Sequence, residues 1–73
     1  MKNAYESKLK FFRNIIRLKR IEYGWSQEDL AERVECHCNY IGRIERGTSL
    51  PCLLVIFKIA SALKVSPKDL MPD

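Results

Sequence analysis

The stretch from Ser26 to Gly47 constrains the fold of this chain more than any other part of the sequence. Ser26 can cap a helix that begins near Gln27, and Asp29 can bond back to the Ser26 backbone as in a capping box. A second helix is predicted from about Cys38 to Arg46, because apolar residues recur there at helical spacing. Gly47 tolerates the left-handed conformation that commonly ends a helix. The sequence therefore predicts two short helices joined by a tight turn of about three residues.

Helical spacing also marks the rest of the chain. A first helix is predicted from Lys8 to Tyr23 and is ended by Gly24. Another helix is predicted from Cys52 to Leu63, and Ser66-Pro67 begins a final short one, with serine as the cap and proline at the first helical position.

Apolar residues at helical spacing are expected to form the core. They are Phe12, Ile15, Ile16, Leu30, Ala31, Val34, Ile41, Ile44, Leu53, Ile56, Ile59 or Ala60, and Leu63, with Leu18 as a further candidate. The sequence shows no alternating strand pattern. The expected fold class is all-α, a compact five-helix domain over residues 1–73, in which residues 1–7 are flexible or extend helix one.

The net charge of the chain is modest and positive. Thirteen Lys and Arg against nine Asp and Glu leave a formal charge of +4, which suits a polyanionic partner but is common among proteins without one. Basic residues crowd the first helix and recur near the middle of the chain: Lys8, Lys10, Arg13, Arg17, Lys19, Arg20, Arg33, Arg43 and Arg46. A solvated helix face explains the first cluster equally well.

The sequence resembles neither a secreted nor a membrane protein. Its start is charged, and its longest hydrophobic run, Leu53 to Phe57, is too short to cross a bilayer. Three cysteines are an odd number in so short a chain, which argues against a disulfide framework. We therefore expect a cytoplasmic location.

Two short helices joined by a tight turn fit the major groove of DNA when the second helix has polar side chains on its outward face. The segments SQEDLAERV, YIGRIERG and LLVIFKIASALKVS, together with Pro51, resemble the helix-turn-helix family of the lambda Cro and repressor type. The resemblance extends from about Phe12 to Leu70. Around Asn39-Tyr40-Ile41 the chain is especially similar to the controller proteins of restriction-modification systems.

This resemblance implies a function and a set of partners. The expected function is sequence-specific transcriptional regulation, in which a homodimer binds double-stranded DNA at a palindromic or pseudo-palindromic operator. The resemblance also implies an origin in a bacterium, a phage or a mobile element. No cofactor is expected.

The resemblance assigns the residues that contact DNA. Gln27 is expected to approach a phosphate, because free backbone amides and the helix dipole favour an anion at a helix N-terminus. The residues expected to face the bases and the nearby backbone are His37, Cys38, Asn39, Tyr40 and Arg43. Arg43 can fork onto a guanine, Asn39 can pair with an adenine, and Tyr40 can contact a thymine methyl or a phosphate. Arg46 is expected to hold a phosphate. The alternatives are a solvated Gln27 and an Arg43 that is paired with an acid.

Two further positions follow from comparison with the family pattern. The residues that match Arg20 and Glu45 pair with each other in the family and tie helix one to the recognition helix. The family usually has a glycine in the turn where this chain has Glu35. Either the turn accepts the strain of a left-handed non-glycine residue, of order 1 kcal/mol, or its geometry differs.

Cys36, His37, Cys38 and Cys52 are of ligand types that zinc uses. Only one residue separates Cys36 from Cys38, whereas zinc sites usually have two to four intervening residues, so no metal site is expected. Cys36 matches a small buried apolar residue of the family. Cys38 should be exposed, where a lowered thiol pKa would permit redox control, and His37 can cap the helix.

The predicted fourth helix has more apolar surface than one core stripe needs. Such a surplus indicates an interface, here between two copies of the chain, to which we assign Leu54, Val55, Phe57, Leu70 and Met71. A loose core or an incidental crystal contact is the alternative.

Other function classes find less support. The sequence has no glycine-rich phosphate loop, no nucleophile paired with a histidine and no metal-ligand set of ordinary spacing, so it is not expected to be an enzyme. The remaining alternative is an antitoxin or adaptor, whose main role would be to bind a partner protein through the apolar surface of helix four.

Overall fold

The computed structural model describes residues 5–70, which form four α-helices and one short 3₁₀ helix. The α-helices are α1 (Tyr5–Glu22), α2 (Gln27–Val34), α3 (Cys38–Arg46) and α4 (Leu53–Leu63), and the 3₁₀ helix is Pro67–Leu70. No strand occurs within residues 5–70. The predicted all-α fold class is confirmed, as are the bounds of the two central helices.

The ends of the chain differ from the prediction. Helix α1 begins at Tyr5 rather than Lys8, so that residues 5–7 extend helix one, while residues 1–4 lie outside the described residues. The predicted fifth helix is a 3₁₀ helix of only four residues. The Ser66 backbone N–H donates to the Asp69 carboxylate at 3.0 Å, which satisfies the start of this short segment, and Pro67 fixes its first residue.

The predicted capping box at the start of α2 is confirmed. Ser26 Oγ accepts a hydrogen bond from the Asp29 backbone N–H at 3.0 Å, and the Ser26 N–H donates to Asp29 Oδ2 at 2.8 Å. Hydrogen bonds with Ser26 lower the pKa of Asp29 from its ordinary value, and the bond from the Ser26 backbone has the largest effect. Two of the free amides at this helix end therefore have side-chain partners.

All four α-helices end in the same backbone motif. In each, a left-handed residue comes at the end of the helix, and its own N–H and that of the following residue donate to carbonyls of the last turns. The left-handed residues are Gly24, Glu35, Gly47 and Lys64. For α2, the Glu35 N–H donates to the Glu32 carbonyl and the Cys36 N–H to the Ala31 carbonyl. Glu35 has a φ of 62°, so the tight turn accepts a non-glycine residue in the left-handed region.

The core lies where all the helices meet. Helix α3 packs on α2 and α1, α4 packs on α2 and α1, and the 3₁₀ helix packs against α1 and α4. The buried residues are Phe12, Ile16, Leu30, Ala31, Val34, Ile41, Ile44, Ile59, Ala60, Leu63 and Leu70. Ile15 and Ile56 are partly buried against this core. Most of the predicted inward stripes are therefore confirmed.

Three apolar residues lie elsewhere than predicted. Leu53 is 61% exposed, because it is the first residue of α4 and lies beyond the edge of the buried stripe. Leu18, the further candidate, is 55% exposed on the outer face of α1. Leu70 is completely buried, because the 3₁₀ helix folds it against α1 and α4. Assigning Leu70 to an intersubunit surface was therefore wrong.

A stack of three side chains joins the end of α1 to α2 and α4. The Tyr23 and Trp25 rings are stacked with their centroids 4.6 Å apart, and the Arg33 guanidinium lies 4.0 Å above the Trp25 ring. The Tyr23 hydroxyl donates to the Leu63 carbonyl at 2.7 Å, at the end of α4. This stack fixes the loop from which α2 begins.

Candidate nucleic-acid interface

Glu45 connects three helices at the base of the interface. Arg20 of α1 donates to it twice, from Nε to Oε2 at 2.7 Å and from Nη2 to Oε1 at 3.0 Å. Gln27 of α2 donates from Nε2 to the same Oε1 at 3.2 Å, and Arg20 Nη1 donates to the Trp25 carbonyl at 2.7 Å. Only 12% of the Arg20 side chain and 4% of the Glu45 side chain are exposed.

The bidentate contact also affects the ionisation of Arg20. The hydrogen bonds to Glu45 raise the pKa of Arg20, against the effect of burial. The two residues that the family resemblance pairs are thus in direct contact in this chain. The contact fixes how α3 sits on α1, and through Gln27 it extends to the first residue of α2.

Helix α3 presents its polar side chains beside the start of α2. Asn39, Arg43 and Arg46 are exposed, whereas Cys38 and Tyr40 are half-buried and pack against the core. A shallow groove of about 610 Å³ lies between the two helices. It is lined by Arg20, Ser26, Gln27, Glu28, Cys38, Asn39, Gly42, Arg43 and Arg46. The structure therefore brings together five of the seven residues predicted to contact DNA.

Arg43 is exposed on α3 and lies next to the half-buried Tyr40. Arg43 Nε donates to Ser49 Oγ at 3.2 Å, and its guanidinium lies 5.9 Å from the centre of the Tyr40 ring. Within residues 5–70 the ion pairs join other residues, and none involves Arg43. The guanidinium therefore remains at the surface, held by neutral partners.

The residues around the turn have mainly structural contacts. His37 caps α3, because its Nδ1 accepts from the Asn39 backbone N–H at 3.3 Å. Burial raises the pKa of the Cys36 thiol, which is consistent with an inert side chain. Cys38 is less exposed than predicted, because it also packs on the core. Within residues 5–70 no three His, Cys, Asp or Glu side chains come together as a metal site would require.

The predicted intersubunit residues lie in different environments, some exposed and some packed against the core. Leu54 is 62% exposed and Phe57 49%, while Val55 packs partly against the core and Met71 lies outside the described residues. Leu50 and Leu53 are also exposed close by in the chain, although neither was assigned to this surface. We call Leu50, Leu53, Leu54 and Phe57 the α4 apolar patch.

Gly42 is a residue of the groove that the sequence prediction missed. It is buried in the middle of α3, and it lines the groove together with Gln27 and Arg46. The available signal was its position four residues before Arg46, which places both residues on the same face of the helix.

The helices of residues 5–70 include none that is long and apolar enough to span a membrane.

The sequence and the structure are both similar to known regulators. A profile of the helix-turn-helix family matches residues 16–70. The control protein C.BamHI of Bacillus amyloliquefaciens is 41% identical over 64 residues, which cover 88% of this chain and 79% of that protein.

Solved structures agree with the sequence match. The restriction-modification controller protein C.AhdI of Aeromonas hydrophila has a TM-score of 0.81 and 36% identity, with 86% of this chain and 96% of that one covered. The biofilm regulator SinR of Bacillus subtilis, solved in complex with DNA, has a TM-score of 0.76 and 30% identity, with 81% and 95% covered. The chain therefore belongs to the helix-turn-helix family of DNA-binding transcriptional regulators.

Proposed function

We propose that this protein binds a palindromic or pseudo-palindromic operator as a homodimer and reads its sequence through α3. The observation that carries the proposal is the exposed polar face of α3, which lies beside the N-terminus of α2 in one groove. A helix with this placement can enter the major groove while the neighbouring helix end faces the phosphate backbone.

The roles of the side chains follow from their contacts. Asn39 and Arg43 are exposed and carry groups that match base edges, so they are the residues proposed to read sequence. His37, Cys38 and Tyr40 border this reading edge, and Tyr40 orients Arg43 by its ring. Arg46 and the start of α2 at Gln27 are proposed to hold phosphates.

The homodimer is supported by the α4 apolar patch. Its four large apolar side chains are exposed within eight residues of one another in the chain, from Leu50 to Phe57. A two-fold axis at this patch would repeat α3 at a spacing of about one DNA turn, roughly 34 Å. The names of C.BamHI and C.AhdI point to control of a restriction-modification system as the biological setting.

The test is selection of bound duplexes from a random pool, followed by titration of variants against the selected site. Arg43→Ala should relax sequence preference by about 1–3 kcal/mol at one base position, because a bidentate base contact is lost. Arg46→Ala should weaken all duplexes alike and reduce the dependence on salt.

The matched control is Arg17→Ala, since this arginine is exposed on α1 and is not among the residues that line the groove. It should leave both affinity and sequence preference unchanged. Failure of the pool to yield any preferred duplex, or equal effects of all three variants, would contradict the proposal.

A further inference from the structure

Gly42 is the glycine that lies inside a helix of this chain, since Gly24 and Gly47 follow helix ends. A glycine in a helix interior lowers helix stability relative to alanine, because it loses more backbone freedom on folding. Its φ is negative, as in any helical residue, so the backbone of α3 does not require glycine here. The reason for the glycine therefore lies in its surroundings.

Two polar groups closely border the space that a side chain at this position would enter. A Cβ atom built on Gly42 would lie 3.1 Å from Arg46 Nη1 and 3.2 Å from Gln27 Oε1. Both distances are shorter than an ordinary van der Waals contact to carbon. The glycine thus allows an arginine of α3 and a glutamine of α2 to approach the same point on the helix backbone.

The Arg46 guanidinium does not stay at the C-terminal end of α3. A cation is favoured at the C-terminal end, where the helix dipole is negative. Here the side chain instead lies back along α3 over Gly42, one turn or roughly 5.4 Å towards the N-terminus. This brings its charge to the first residue of α2, where backbone amides favour an anion.

We infer that Gly42 is a positioning residue for DNA binding: its missing side chain lets the Arg46 guanidinium lie beside the first turn of α2, so that both bind one phosphate. This inference rests on the proposed function, and it assigns to Gly42 no contact with a base. Gln27 is less free to move than Arg46, because Glu45 holds its amide. The flexible arginine is therefore the group that a side chain at position 42 would displace.

The test is Gly42→Ala, measured by DNA titration and by thermal unfolding. Affinity for the selected duplex should fall by about tenfold, the lower end of the value of one charge-assisted hydrogen bond. The slope of log K against log salt should become shallower by up to about 0.9, as for one lost phosphate contact. The melting temperature should rise or stay unchanged, because alanine favours the helix. A merely structural glycine would not show this divergence between binding and stability.

Two further variants test whether Gly42 acts on DNA binding through Arg46. Asn14→Ala is the matched control for helix propensity, because Asn14 is exposed in α1 and lies outside the groove; it should leave affinity unchanged. In an Arg46→Ala background, Gly42→Ala should cause no additional loss of affinity.

The outcomes separate this inference from the proposed function. Equal affinity of parent and Gly42→Ala, or a full additional loss in the Arg46→Ala background, overturns the inference and leaves the function standing. If the parent prefers no duplex, both fail. A relaxed preference at one base position would also overturn the inference, because it would place Gly42 at a base.

Discussion

At the scale of single residues, Glu45 has the most concentrated set of contacts in the interface. Both of its carboxylate oxygens accept from Arg20, and one also accepts from Gln27. Removal of the carboxylate would leave the Arg20 guanidinium largely buried with the Trp25 carbonyl as its remaining acceptor. The cost of a lost partner in a buried pair is larger than the net contribution of the pair itself.

We expect Glu45→Ala to lower the free energy of unfolding by about 3 kcal/mol, at the lower end for a broken buried pair. The melting temperature should fall by more than about 10 °C in a domain of this size. Glu32→Ala, at an exposed site of α2, is the matched control and should change stability by less than about 0.5 kcal/mol. Denaturant unfolding of both variants checks this, and equal stability of the two would refute the importance of the contact.

Individual residues also show how far the sequence can predict the site. The family pattern points to the contact between Arg20 and Glu45, because both positions match residues that pair. It does not reveal the burial of Cys38 and Leu70, which depends on how closely α3 and the 3₁₀ helix pack on the rest of the core. The role of Gly42 depends on the path of a neighbouring side chain, which helical spacing alone does not determine.

At the scale of elements, the common feature is the left-handed residue that ends each α-helix. Two helices use glycine there, whereas α2 uses Glu35 and α4 uses Lys64, with φ of 62° and 58°. An L-residue with a side chain is strained in this region by roughly 1–2 kcal/mol, and glycine is not. The strain is tolerated because the same two backbone hydrogen bonds form in all cases.

Glu35→Gly and Lys64→Gly should therefore each stabilise the fold by about 0.5–1 kcal/mol, after the entropic cost of glycine in the unfolded chain is subtracted. Thermal unfolding of the two single variants checks this. The matched change in the opposite direction is Gly47→Ala, which should destabilise, because a φ of 82° is strained for a residue that has a Cβ. A lower melting temperature in both glycine variants would show that the left-handed residues are not strained.

The bounds of α2 and α3 could be predicted because a capping side chain or a glycine marks three of their four ends. The end of α2 at Glu35 has no such marker, yet the start of α3 limits where it can lie. The last segment was predicted only as a helix of unstated type. A four-residue segment that begins with a proline can form an α-helical or a 3₁₀ turn. Packing of Leu70 against α1 and α4 decides between the two.

At the scale of the whole molecule, the α4 apolar patch is the surface on which the proposed homodimer depends. Leu54→Lys places a charge at an exposed position of this patch, so we expect a monomer with an intact fold. Affinity for a palindromic duplex should fall by more than about tenfold, because two half-sites are no longer bound by one assembly.

Sedimentation and helical content by circular dichroism check this prediction. Leu18→Lys is the matched control, since Leu18 is similarly exposed but lies on α1. It should leave the oligomeric state unchanged. A parent chain that sediments as a monomer on a palindromic duplex, or a dimeric Leu54→Lys variant, would rule out this surface as the interface.

The stack of Tyr23, Trp25 and Arg33 has a practical consequence. Trp25 is the single tryptophan of the chain, and it lies in the loop between α1 and α2. Its carbonyl accepts from Arg20 at the base of the groove, while its ring stacks on Tyr23, which is bonded to the end of α4. The intrinsic fluorescence of the protein therefore comes from an indole held by a ring on one side and a cation on the other. Loss of either neighbour during unfolding would change its emission, so the chain carries its own optical probe.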